Sequence, residues 1–345
     1  MAFLIYGANG YTGQLIARQA KARGEQPILA GRSLDKVKPL ADELGLPSRA
    51  FDLRAPDLSG VSLVLHCAGP FSATSKPMVD ACLAAKAHYL DVTGEAAVFE
   101  AVLARGQEAK ERGVVLLPGV GFDVVPSDCL AAMLKEKLPS ATSLELAFAP
   151  LGRISPGTLK TSIEALPKGG LVRRGGKLTK VPSAYLVREV PFADKTRTCM
   201  SLPWGDVATA WHSTAIPDIT VYIAAKPALI RAAKLSRFTG PLLGLPFVQN
   251  VLKSRVDKTV RGPDETVRAG SSSQLWGRVQ SPSHAISMTM QAPDGYSLTA
   301  ESAVECALRV LGGKVAAGAW TPSLAFGANF VTALSGVRLE APMPA

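Results

Sequence analysis

The chain lacks several features that would assign it at once. Its five cysteines, Cys67, Cys82, Cys129, Cys199 and Cys306, are odd in number and never in CxxC spacing. That excludes a disulfide framework and a thiolate cluster, and it predicts reduced thiols in a cytoplasmic protein. The four histidines, His66, His88, His212 and His284, show no ligand spacing either, so no metal is expected. Aromatic residues are only 6% of the chain. With so few stacking platforms, the net charge of +10 does not read as a nucleic-acid surface. The cations are dispersed, with local concentrations at 168–180 and 226–258, and phosphorylated small molecules or an acidic membrane surface are simpler partners for them. No apolar run reaches the length of a membrane span, and the N-terminus runs straight into a strand pattern, so neither an anchor nor a signal peptide is expected.

The strongest positive signal is at the start. Phe3-Leu4-Ile5-Tyr6 is a short buried-strand pattern that breaks into Gly7-Ala8-Asn9-Gly10-Tyr11-Thr12-Gly13 and then into a helical pattern, Gln14 to Arg23. Strand, glycine turn and helix in that order make a dinucleotide cradle. One glycine serves the tight turn, one the approach of backbone N–H groups to a pyrophosphate, and one the packing of helix on strand. The helix dipole then adds its positive end. The spacing is GxxGxxG, so a turn that serves packing alone is the competing reading.

A second strand pattern, Gln26 to Ala30, ends in Gly31-Arg32-Ser33. An NAD-selective domain would place Asp or Glu about here for the ribose 2′-hydroxyl. Arg32 cannot accept that bond, whereas its guanidinium suits a 2′-phosphate and Ser33 adds a hydroxyl. NADP(H) is therefore expected, against the plainer reading of Arg32 as a solvated charge. The doubly wound pattern continues through strands at 49–52, 61–67 and 114–117 and a further strand end at 89–95, with a helix at 76–86. Their carboxyl ends carry Asp52, the turn Ala68-Gly69-Pro70-Phe71, the segment Tyr89 to Glu95, and the loop Pro118 to Asp128. In such a sheet, ligands sit at this rim. Ser127 or Asp128 would cap a helix over 129–138. No Tyr-xxx-Lys pair follows, which disfavours a short-chain dehydrogenase mechanism.

In order along the chain, GANGYTG, AGR, CAGPF, HYLDVTGE and GVGFDVVPSD resemble the saccharopine dehydrogenase-like oxidoreductases, a group that includes the trans-acting enoyl reductases of lipid and polyketide assembly. The likeness continues at 262–268, 294–300 and 321–323, and it is weakest over 144–261. It departs at Ser72-Ala73-Thr74-Ser75, where relatives tend to have glycine. The resemblance implies an α/β protein with an N-terminal Rossmann doubly wound parallel sheet over 1–135. A second α/β, mixed-sheet substrate domain would cover 136–295, and a segment over 296–345 would return to the first domain. It implies hydride transfer from NADPH to an activated double bond of an apolar or acyl substrate, in the cleft between the domains. Imine or ketone reduction of the saccharopine type and a non-catalytic NADPH-binding scaffold are the alternatives. The candidate cofactor residues are Gly7, Asn9, Gly10, Tyr11, Thr12, Gly13, Arg32, Ser33, Asp52, Ala68, Gly69, Pro70 and Phe71. Asp123 and Tyr89 are the catalytic candidates, and Phe122, Asp123 and Trp204 the substrate contacts.

The middle of the chain reads as strands and turns: a strand at 143–148, a turn at 155–158, a helix at 158–166, glycine punctuation at 168–170 and 174–176, and a loop around Pro203-Trp204-Gly205-Asp206. Between 224 and 252 basic residues surround an apolar, proline-broken stretch. It could lie on an anionic membrane, line an acyl tunnel, form a buried helical hairpin or make a homodimer contact.

Overall fold

The computed structural model describes residues 2–150, 157, 159, 160, 163, 167, 169–259, 262–341 and 343–344. The turn expected at 155–158 and the helix at 158–166 lie outside the described residues except at those isolated positions. The chain divides into two compact units, Met1–Val125 with Tyr296–Leu334, and Pro126–Gly295 with Ser335–Ala345.

The first unit is built on a parallel sheet. In chain order its elements are β1 (Ala2–Tyr6), α1 (Tyr11–Ala22), β2 (Ile28–Gly31), α2 (Leu34–Leu44), β3 (Ser48–Ala50), β4 (Val61–His66), α3 (Phe71–Ala85), β5 (His88–Asp91), α4 (Ala96–Leu103), α5 (Gly106–Arg112) and β6 (Val115–Leu117). Helix α6 (Val125–Lys137) leads into the second unit. The described strands are ordered β15-β6-β5-β4-β1-β2-β3, where β15 (Gly318–Ala319) joins parallel to β6 from the C-terminal segment. β1 lies between β4 and β2 with both faces covered, so Phe3, Leu4, Ile5 and Tyr6 are all buried. A continuous apolar run is what a central parallel strand requires. Right-handed crossovers bring every strand's carboxyl end to one rim.

The second unit holds a mixed sheet ordered β10-β11-β12-β7-β13-β14-β16. Its strands are β7 (Ser143–Pro150), β10 (Val187–Pro191), β11 (Thr196–Ser201), β12 (Asp218–Ala224), β13 (Ser272–Gln280), β14 (Ala285–Pro293) and β16 (Arg338–Leu339). The hairpin β8 (Gly170–Arg174) and β9 (Lys177–Val181) hangs off β12, and β17 (Met343–Pro344) pairs with β14. The pair β7 and β12 is parallel, and their other described partners run antiparallel. Two differences from the expected boundaries have packing causes. Helix α6 goes with the second unit from Pro126 on: Leu130 and Leu134 fill the space above Gly277 of β13, where a Cβ would lie 2.6 Å from a Leu134 methyl carbon. The last residues also leave the first unit, because Arg338 and Leu339 bond to the edge of β14. The helix expected at 129–138 begins instead at Val125, which puts Ser127 and Asp128 inside the first turn and not at its cap.

Candidate functional site

The three turn glycines divide their tasks. Gly7 takes φ +86°, a left-handed conformation that costs glycine little. It also lies against the end of β4, where a Cβ would be 2.8 Å from the Ala68 nitrogen. Gly13 packs the helix onto the turn: a Cβ there would come within 2.3 Å of the Gly7 carbonyl oxygen. Gly10 is exposed and extended at the start of α1, and its N–H donates to that same carbonyl at 2.9 Å. No side chain caps this helix at Gly10, and its first turn has no acidic residue. The amides of Tyr11, Thr12 and Gly13, which no carbonyl of their own helix reaches, therefore lie at an uncapped positive helix end beside exposed Asn9. This is the chemistry that binds a pyrophosphate.

β2 ends at Gly31, and the exposed Arg32 follows. Ser33 precedes α2 without spending its hydroxyl on a cap. Asp52 stands exposed just beyond β3 and accepts from the Arg54 backbone N–H and from its Nε, both at 2.9 Å. These bonds hold its carboxyl below the usual range, with Arg32 a smaller contributor. The structure thus commits Asp52 to Arg54, and both Arg54 and Arg32 act on its carboxyl. The sequence reading missed Arg54 because the spacing rule looks only at the end of β2. A pair of guanidinium groups with no acid at the end of β2 suits a 2′-phosphate. Arg32→Asp is expected to shift the preference between NADPH and NADH by about 10-fold or more toward NADH, since a charge-assisted pair is worth about 1.5–3 kcal/mol. Titration with both cofactors checks this, and equal affinities in the unaltered protein would remove the role.

The next three strand ends form a bonded rim. Glu95 accepts the N–H groups of Phe71 (2.8 Å) and Ser72 (3.1 Å). That cap lets α3 begin at Phe71, earlier than the expected 76. Gly94 is held against Asp123, where a Cβ would lie 2.9 Å from Oδ2. Buried Asp91 accepts the Tyr89 hydroxyl at 2.6 Å with one oxygen, and the N–H groups of Thr93 (3.0 Å) and Gly119 (2.9 Å) with the other. Burial pushes both Asp91 and Asp123 up to about 6. It pushes buried His66, whose Nε2 is 3.0 Å from Thr74 Oγ1, down to about 3.

Tyr89 cannot be a catalytic group. It is fully buried in β5, its hydroxyl serves Asp91, and burial raises its pKa well above the ordinary value. Helix α11 (Gly295–Leu311) closes the rim from the other end of the sequence. Thr299 Oγ1 accepts the Phe122 N–H at 2.9 Å, Ser302 donates to the Val120 carbonyl at 2.7 Å, and Tyr296 meets Tyr11 edge-on with ring centroids 5.0 Å apart. Ala68, Gly69, Pro70, Phe71, Phe122 and Asp123 stand on this rim, all partly or fully exposed. Trp204 belongs to the second unit, half-buried with its ring 4.6 Å from that of Phe148. Among the described residues no cluster of His, Cys, Asp and Glu could hold a metal ion, and no helix is long and apolar enough to cross a membrane.

Parallel sheet, glycine turn and uncapped helix end define the first unit as a Rossmann-type dinucleotide-binding domain. Residues 3–117 match the saccharopine dehydrogenase NADP binding domain, so the cofactor is NADP(H). It is 27% identical over 202 residues to a saccharopine dehydrogenase-like oxidoreductase of Mus musculus, covering 50% of this chain and 47% of the relative. It is 33% identical over 182 residues to a Mycobacterium tuberculosis protein described as a candidate trans-acting enoyl reductase, covering 47% and 43%. The matches thus span less than half of each relative's length. The fold is also that of apo saccharopine dehydrogenase (L-Glu forming) from Saccharomyces cerevisiae, with a TM-score of 0.68 at 12% identity, covering 100% of this chain and 99% of that one.

Proposed function

We propose that the protein is an NADPH-dependent reductase of an activated, enoyl-type double bond in an apolar or acyl substrate, free or carried on a partner. The observation that carries this reading is the composition of the rim. The loops 67–71, 92–95 and 118–124 hold no cation, and the carboxylates of Asp91 and Glu95 are turned onto backbone N–H groups. An amino diacid of the saccharopine type calls for guanidinium partners. An acyl chain calls for Phe71 and Phe122. The mycobacterial relative's description points the same way. The free thiols of all five cysteines support a cytoplasmic location.

In this reading Gly7, Asn9, Gly10, Tyr11, Thr12 and Gly13 hold the pyrophosphate, Arg32 and Ser33 the 2′-phosphate, and Ala68 to Phe71 the nicotinamide end. NADPH, when bound, supplies the hydride. Phe71 and Phe122 bound the acceptor, and the Asp123 carboxyl holds the proton that the reduced substrate takes up. With burial raising Asp123 to about 6, the acid form is lost as pH rises through that value, so kcat should fall there. Asp123→Asn is expected to lower kcat about 100-fold, to remove that pH limb and to leave NADPH affinity within a factor of a few. Unchanged specific activity with lowered stability would make Asp123 a loop-holding residue only. The deciding experiment follows NADPH oxidation with enoyl thioesters of increasing chain length, and with aminoadipate semialdehyde plus glutamate. Turnover of the second pair alone would favour the imine reading. Intact NADPH binding with no turnover of any acceptor would favour a scaffold.

A further inference from the structure

Of the twelve large apolar side chains exposed among the described residues, six gather on one feature of the second unit: Leu229, Leu235, Phe238, Leu245, Phe247 and Val251. They belong to a hairpin of two helices, α8 (Pro227–Leu243) and α9 (Pro246–Thr259). Phe238 is 82% exposed and Phe247 77%, values unusual for rings that nothing covers. From Phe238 to Leu252 the sequence carries no charge. On either side the sign is almost uniform: 226–258 holds seven cations and a single anion, Asp257.

We propose that this hairpin docks on an anionic phospholipid surface, with the charge-free turn in the acyl boundary and the flanking cations at the phosphates. The proposal is independent of the substrate reading above. Three observations choose this occupant. First, Arg231, Lys234, Leu235 and Phe238 are all exposed and recur at helical spacings of three and four residues, so cations and apolar groups share one face of α8, the pattern of a helix lying in a membrane interface. Second, Phe247, Val251 and Arg255 line a shallow groove on α9 together with Asn250 and Ser254. That groove again sets apolar side chains beside a cation. Third, a second copy docking through the same face would set like charges against each other, which an isologous contact cannot avoid. An acyl tunnel would bury these rings, and they are exposed. Arg237 donates to the Ser183 and Ala184 carbonyls, both at 2.7 Å, and so ties the hairpin to its own unit.

Flotation of the full-length protein with vesicles tests this. Binding is expected to vesicles of phosphatidylcholine with about a third phosphatidylserine and to be at least 10-fold weaker to phosphatidylcholine alone. Raised salt should weaken it further. Phe238→Ser with Phe247→Ser should weaken binding at least 10-fold, as should Arg231→Glu with Lys234→Glu, at an unchanged melting temperature. Equal binding to both vesicle types, or no loss in either double variant, would overturn the proposal. So would a concentration-dependent dimer in gel filtration that the Phe variants abolish, since that would make a second copy the occupant.

Discussion

Gly10→Val should reduce NADPH affinity more than about 1000-fold, some 4 kcal/mol, in a protein that still folds. The structure separates the three glycines in this respect. At Gly7 and Gly13 a Cβ would meet backbone atoms at 2.8 and 2.3 Å, distances that real Cβ atoms do not reach, so substitutions there should damage the unit itself. At Gly10 the nearest atom is the Gly7 carbonyl oxygen at 3.2 Å, and its φ of −76° is open to any residue. The fold can accept a side chain there by giving a few tenths of an ångström. What the branched side chain takes away is the space above the first-turn amides, where a phosphate must come within hydrogen-bonding distance. Fluorescence titration with NADPH reads the loss, and thermal unfolding near the wild-type midpoint shows that the fold has survived. Wild-type affinity in this variant would mean that the phosphates bind elsewhere.

Asp91→Ala should cost about 3–5 kcal/mol of stability, because one carboxylate satisfies three buried donors. Truncation leaves the Tyr89 hydroxyl and the N–H groups of Thr93 and Gly119 without it, and each buried donor left unsatisfied costs about 1–3 kcal/mol. For a unit of this size that corresponds to a melting temperature lower by about 10 °C or more. The pH dependence has a definite sign. Burial raises Asp91 to about 6, above the ordinary carboxyl value, so between about pH 4 and 6 the folded state keeps a proton that the unfolded chain has released. This contribution to stability is fully present below about 4 and is lost as pH rises through 6. Asp91→Ala should reduce that part of the slope, leaving the similar contribution of Asp123, which burial also raises to about 6. A melting temperature within 2–3 °C of wild type would show that the donors find water or other partners.

Much of the first unit was legible because its signals are local. β1 is an unbroken apolar run, the glycine turn is contiguous, and Arg32 lies next to the strand it ends, so each could be read within a window of a few residues. Tyr89 was misread for a related reason. Sequence position put it at a strand's carboxyl end, but only the tertiary structure says whether a side chain there faces the rim or the core, and the hydrogen bond to Asp91 turns it into the core. The residues that hold the rim together were out of reach. Glu95 caps a helix that starts 24 residues earlier, and Thr299 supports the Phe122 loop from 177 residues away.

What the sequence determined by itself was the class of domain and its cofactor, since a phosphate cradle depends on backbone freedom and charge at fixed short spacings. The packing of Leu130 and Leu134 on Gly277, the departure of the last residues to β14 and the exposure of Phe238 and Phe247 were decided only in three dimensions. Burial depends on what the rest of the chain places opposite a residue, and no local pattern records that.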